Sequence, residues 1–365
     1  MRQRAMRPHR LRLARPGRVA CRRRPLSSAT DPTQTDGPVL VNIGGVRAAV
    51  PSQFPAVPER VPRGYLGDPE QLSQQTVQLL RWMIQKSALG EDVFLIGPPG
   101  SSRRHVALSF AELFKREVEV VSISADTTES DLKQRREIVG GNAVFVDQAP
   151  VRAALHGRLL LLEGIERAER NVLPTLNNLL EAREMALEDG RTIVSATTWD
   201  KMIADHGLSE ADLTARGLCR AHPNFMAVAI GLPVPPFAGR PLDPPLRSRF
   251  QGVAHSPINA AGLLQAIGSA APGLRVETAA SLVEFSEAVF SIARSGTAGE
   301  SQRGENSGGL ASPRASLAFE QERLIEAAKT LEAFPGVAAA DALRRVLPAL
   351  SGVGVGSVVG AAICR

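Results

Sequence analysis

Residue types and spacing first point to chemistry between Asp92 and Arg104, in the stretch DVFLIGPPGSSRR. An apolar strand runs into a Gly-Pro-Pro-Gly turn and then into the start of a helix. That is the shape of a loop that cradles phosphate with backbone N–H groups and a helix N-terminus. Gly97, Pro98, Pro99 and Gly100 keep the turn, and Ser101, Ser102, Arg103 and Arg104 offer donors beyond it. The pattern G-x-x-x-x-G-K-[ST] asks for Gly, Lys and Ser/Thr where this chain has Ser102, Arg103 and Arg104. Arg103 keeps the positive charge on a larger, planar fork that favours bidentate geometry. Arg104 carries no acceptor, so it cannot ligate a cation, but it can neutralise phosphate directly. The plain alternative is a strand-to-helix turn without a ligand.

Other chemistries find little support. His105, His156, His206, His222 and His255 show no ligand spacing and read as incidental. Cys21, Cys219 and Cys364 form neither a metal motif nor a disulfide framework, which fits a reducing compartment. Trp82, Trp199 and the single Tyr65 make no stacking platform for nucleic acid.

The elements that must position the loop follow from hydrophobic periodicity. A helix is expected from Asp68, as its cap, through Pro69 to Gly90, with Leu72, Leu79, Leu80, Met83 and Ile84 on its apolar face. Val93–Ile96, Val118–Ser124, Leu159–Leu162 and Phe225–Ile230 read as buried strands. Arg104–Lys115 and Arg167–Arg183 read as helices, and Met185–Val194, centred on Asp189-Gly190, as a hairpin. Apolar strands separated by helices predict an α/β fold with a parallel sheet covered on both faces. After Ser256 the pattern is helical only, interrupted by a polar, low-complexity stretch at 295–316 expected to be disordered. The division expected is 1–30 presequence, 31–67 linker with short strands, 68–255 large domain and 256–365 helical domain.

Charge is unevenly placed. The net charge of +6 becomes −4 once residues 1–24 are set aside, since they hold ten arginines and no acid. An Arg-rich, acid-free amino-terminal stretch ending in Pro25-Leu26-Ser27-Ser28-Ala29 reads as a mitochondrial transit peptide, placing the protein in the mitochondrion, with the matrix expected. The competing reading is a basic tail for nucleic acid or membrane surfaces. No apolar run reaches the roughly 18 residues a membrane span needs.

Five segments occur in one order: Gly97–Arg104, Phe145-Val146-Asp147, Leu159–Glu163, Asn224–Pro233 and Leu246-Arg247-Ser248-Arg249-Phe250. Together with TESDLKQRREI and ERNVLPTLNNLLEAREMALEDGR they resemble an AAA+ ATPase module of the dynein-related and midasin branch, over about residues 40–350. The resemblance implies a P-loop parallel sheet flanked by helices and followed by a small all-α lid. It also implies ATP or ADP as ligand, Mg²⁺ as its usual companion, and neighbouring AAA+ modules or copies in a ring, acting on an unidentified protein substrate. Family members run far beyond this length, so a front portion of a longer protein is expected.

Residue by residue, the resemblance implies partial damage. Arg103 stands at the phosphate-binding lysine and Arg104 at the metal-holding hydroxyl. Glu163 stands at the Walker B aspartate, where it either assists Mg²⁺ or merely closes a loop. Gly164 replaces the glutamate that polarises water, and Leu232 replaces a polar sensor. Arg249 matches the arginine finger that completes an adjoining module's site in trans, with Arg247 beside it; a surface arginine pair is the bland alternative. The expected function is an ATP-binding module with very slow local hydrolysis. The alternative is a non-enzymatic ring scaffold with an empty site.

Overall fold

The computed structural model describes residues 39–43, 45–50, 56–66, 72–234, 237–256, 258–300 and 321–347. The presequence expected at 1–30, the cap proposed at Asp68 and Pro69, and residues 301–316 of the polar insert lie outside them. β1 (Val39–Ile43) and β2 (Val46–Val50) pair antiparallel. Helix α1 (Gln74–Ala88) begins later than the periodicity suggests, because the Ser73 hydroxyl accepts from the Thr76 N–H and caps it there. The chain then alternates: β3 (Asp92–Ile96), α2 (Ser102–Leu113), β4 (Val118–Ser122), α3 (Glu129–Leu132), the hairpin β5 (Gln134–Val139) and β6 (Asn142–Asp147), α4 (Ala149–His156) and β7 (Leu159–Glu163).

The continuous helix expected at Arg167–Arg183 does not form. Short 3₁₀ turns at Ile165–Arg167 and Leu173–Leu176 precede only α5 (Asn177–Glu181). Pro174 lacks the N–H a longer helix would need, while Val172, Leu173, Leu176, Leu179 and Leu180 stay buried, so the apolar period survives the change of backbone. The Asp189-Gly190 hairpin joins β8 (Met185–Ala186) to β9 (Thr192–Val194). After α6 (Ala196–His206) and α7 (Glu210–Ala215), β10 (Leu218–Arg220) adds to β9. β11 (Met226–Gly231), α8 (Pro244–Ser248) and β12 (Phe250–Ala254) complete this part.

Five of these strands make one all-parallel sheet in the order β12-β3-β11-β7-β4. Because strand side chains alternate between faces, the four leucines of β7 serve two cores. Leu159 and Leu161 pack with α1 and α2 through Leu80, Met83, Val106 and Phe110. Leu160 and Leu162 pack with Val151, Leu176, Leu179 and Phe250. A sheet buried on both faces is why its strands read as uninterrupted apolar runs.

Residues 56–66, expected within a linker, are clamped to this body. Val57 N–H donates to Glu117, and Glu112 accepts from the N–H groups of Gly64, Tyr65 and Leu66 at 2.7–2.8 Å. The helical part comprises α9 (Ala260–Ala270), α10 (Val276–Glu300), α11 (Glu322–Ala333) and α12 (Ala339–Val346), around a core of Leu263, Leu282, Phe285, Leu324 and Leu343. α10 carries helical backbone through 295–300, into the stretch expected to be disordered. Extending a nucleated helix adds a hydrogen bond for each residue fixed, which offsets weak local propensity. Among the described residues no helix is long and apolar enough to cross a membrane.

Leu161 is fully buried in β7, between β11 and β4. Leu161→Ala is expected to lower unfolding stability by about 2–5 kcal/mol. Urea denaturation of the chain followed by far-UV circular dichroism measures it.

Candidate functional site

The loop leaves β3 at Ile96, at the carboxyl end of the parallel sheet, where open α/β sheets bind their ligands. The Gly97 N–H donates to the carbonyl of Gly231, the last residue of β11, at 3.3 Å. Helix α2 follows, and its N-cap residue Ser101 makes no side-chain cap bond, so the helix dipole and first N–H groups face the loop without one.

Arg103 is 7% exposed. Its Nη1 donates to the Gly231 carbonyl, while its Nε is buried without a partner. Burial pushes this guanidinium below its ordinary pKa, opposed by the charges of Glu166, of Glu322 at the first turn of α11, and of Glu163. Arg104 reaches the end of β7, where its Nη1 donates to both carboxylate oxygens of Glu163 at 2.7 Å. The structure therefore joins Arg103, Arg104 and Glu163 at the loop.

Two residues at the loop were not expected there. Read as incidental from sequence, His255 is buried just past β12 and its Nε2 shares a hydrogen bond with the Ser102 hydroxyl at 2.8 Å. Its Nδ1 has no partner. Glu166 lies on the 3₁₀ turn after β7 and is 4% exposed, with Oε2 unpartnered. A Cβ on Gly231 would meet that oxygen and the Phe94 ring at 2.9 Å, so only glycine leaves room for the carboxylate. Their sequence signal is weak: a histidine 153 positions from its partner carries no spacing.

Arg247 and Arg249 lie elsewhere. They lie just before β12, whose first residue Phe250 pairs with Asp92, while Ala254 pairs with Ile96 beside the loop. The two ends of such a strand are roughly 15 Å apart. Arg249 is held by the carbonyls of Asn177 and Pro245 and by Glu181, at a polar cleft of about 350 Å³ that Asp92, Arg183 and Gln251 also line. Arg247 is exposed and makes no ion pair among the described residues. Leu232 follows β11 half-buried, with an apolar tip where a polar sensor was sought.

Residues 92–250 match the AAA domain (dynein-related subfamily). This stretch is an AAA domain of the dynein-related subfamily. The chain is also 45% identical over 322 residues, 88% of its length, to mouse (Mus musculus) von Willebrand factor A domain-containing protein 8, of which it spans 15%. An uncharacterised protein of Staphylococcus saprophyticus is 28% identical over 100 residues, covering 26% of this chain and 38% of that protein. A solved structure from Cytophaga hutchinsonii overlays 82% of this chain and 92% of its own at 13% identity with a TM-score of 0.40, a likeness too loose to bear on function.

An AAA domain implies nucleotide, and the donors here fit an anion: an α2 terminus without a side-chain cap, a buried guanidinium with Nε unused, and a buried imidazole nitrogen unused. Mg²⁺ fits poorly. Position 104 offers a cation in place of a hydroxyl, Ser102 is engaged by His255, and Glu163 is already paired with Arg104. Among the described residues no group of three or more His, Cys, Asp and Glu side chains gathers for a metal. Gly164, where the resemblance places a water-polarising glutamate, has φ +73°, and a Cβ there would lie 3.1 Å from the Ile123 carbonyl. The backbone at this position is unsuited to a side chain.

Burial, then the Arg103 charge, lowers the His255 pKa from 6.5 to about 4. The unfolded chain takes up this proton near pH 6.5 and the folded chain only near 4, so stability falls as pH drops through that window and levels off below it. His255→Gln should flatten this part of the stability profile, measured by urea unfolding from pH 7 to pH 4.

Proposed function

We propose that this chain is a nucleotide-binding AAA+ module that holds ATP or ADP at the 97–104 loop and turns it over very slowly. The observation that carries this is the buried Arg103, whose unpartnered Nε sits in the first turn of α2 at the loop. An isolated buried cation is costly, and a phosphate is the group that relieves it. A cavity of about 410 Å³ opens next to the site, between Ser256, which follows His255, and the α9–α10 faces at Leu263, Val283 and Phe290. It offers room for the rest of a nucleotide.

Slow turnover follows from three positions. Arg104 supplies no metal ligand, Gly164 no base and Leu232 no polar contact to water. Arg247 and Arg249 sit at the far end of the sheet from the loop, so a nucleotide they touch belongs to a neighbouring module or copy. An arginine finger of that kind is worth about 10³–10⁵ in rate. The module would thus serve a ring whose hydrolysis occurs elsewhere and is coupled to remodelling a protein substrate. The Arg-rich residues 1–24 support a mitochondrial address for it.

The scaffold reading also has an observation behind it. Arg103 and Arg104 find protein partners in Gly231 and Glu163, so the protein itself meets both guanidinium groups. Thermal unfolding with and without nucleotide decides between the two. Binding should raise stability by about 2.7 kcal/mol at a hundred times Kd, with little phosphate released. An unchanged midpoint at millimolar ATP would establish the scaffold. Robust Mg²⁺-dependent hydrolysis abolished by Arg103→Ala would overturn the slow-turnover claim.

A further inference from the structure

We infer that Arg104 is a built-in counter-cation that takes the place of the divalent metal, so that this module binds nucleotide metal-free. The inference rests on the nucleotide-binding reading above and specifies its cofactor requirement.

The geometry separates two jobs on one guanidinium. A single nitrogen, Nη1, donates to both oxygens of Glu163 at 2.7 Å. Among the described residues Nε and Nη2 are left uncommitted, on a side chain that is 46% exposed in the first turn of α2. The anchored nitrogen fixes the direction of the side chain, and the free edge of the fork keeps two donors for phosphate oxygens. A metal ion at such a site draws phosphate and carboxylate together by being positive between two anions. The Arg104 guanidinium holds Glu163 with one nitrogen and, from the first turn of α2, has two further donors for a phosphate. It adds directional hydrogen bonds that suit phosphate.

The same arrangement disfavours Mg²⁺. A metal taking the Glu163 carboxylate would have to displace its ion pair and share its ground with a fixed positive charge. Metal-free ATP carries more negative charge than its Mg²⁺ complex, and Arg103 with Arg104 supplies the compensation from the protein.

The test is a titration of fluorescently labelled ATP into the full chain, once in EDTA and once in excess Mg²⁺. Wild type should bind equally in both, within about twofold. Arg104→Thr should weaken binding in EDTA by about ten- to a hundredfold, the loss of charge-assisted bonds to phosphate, with Mg²⁺ restoring most of it. Arg104→Lys should retain metal-independence, which guards against a folding defect in the threonine variant. Glu163→Gln gives the sharpest sign. Removing a competitor for Arg104 should tighten binding, whereas removing a metal ligand would weaken it in Mg²⁺. Wild-type binding that requires Mg²⁺, or an Arg104→Thr variant indistinguishable from wild type in EDTA, would overturn the inference and leave the nucleotide-binding reading standing. No binding under either condition would overturn both.

Discussion

One buried carbonyl oxygen, that of Gly231, governs the geometry of the loop. It receives the Gly97 N–H, which closes the turn onto β11, and the Nη1 of Arg103, which pins the first turn of α2 to the same strand. Both bonds need close approach from two directions, and Glu166 with Phe94 presses from a third. The loop, the first turn of α2 and Glu166 thus converge on one glycine. The cost is a guanidinium held out of water with one nitrogen unused, offset in part by the field of Glu166, Glu322 and Glu163. Such a charge is weak evidence for stability and stronger evidence for an absent anion, since a well-packed apolar side chain would satisfy the core at lower cost.

On the proposed reading, the departures from a hydrolytic site reinforce one another. Arg104 removes the metal-holding hydroxyl and at the same time occupies the carboxylate that would have helped. Gly164 removes the base, and its left-handed backbone then leaves a returning side chain strained against the Ile123 carbonyl.

Much of this was legible in the chain because its determinants are local. Apolar runs such as Leu159–Leu162 mark strands buried on both sides, and the order of strand, glycine turn and helix marks the loop. The helix expected at Arg167–Arg183 shows how periodicity misleads. Buried leucines at helical spacing constrain which residues face the core, but Pro174 decides the backbone, and here it selects short turns. The β5–β6 hairpin was missed although Gly140-Gly141 lies at its tip, because its exposed Ile138, Val139 and Val144 lack the polar alternation of a half-buried strand. His255 and Glu166 were invisible as site residues for a different reason: their roles come from register across the sheet and from the absence of a side chain at Gly231, which no local pattern encodes.

The sheet also separates two functions by its own direction. Parallel strands put every carboxyl end on one side, so the loop, Arg103, Glu163 and His255 gather there. The amino ends gather opposite, where Asp92 is buried in contact with Arg183 and the Ala227 N–H beside the cleft of Arg249. Asp92 and Ile96 are the two ends of one five-residue strand, and the loop starts at Gly97. Whatever rigidifies β3 at the loop therefore also steadies the frame that aims Arg247 and Arg249. On the proposed reading a nucleotide that stays bound is useful without being hydrolysed: it braces one end of a strand whose other end presents arginines to a neighbour. Selection on that arrangement would tolerate the loss of Gly164's and Leu232's chemistry while keeping the loop and both arginines.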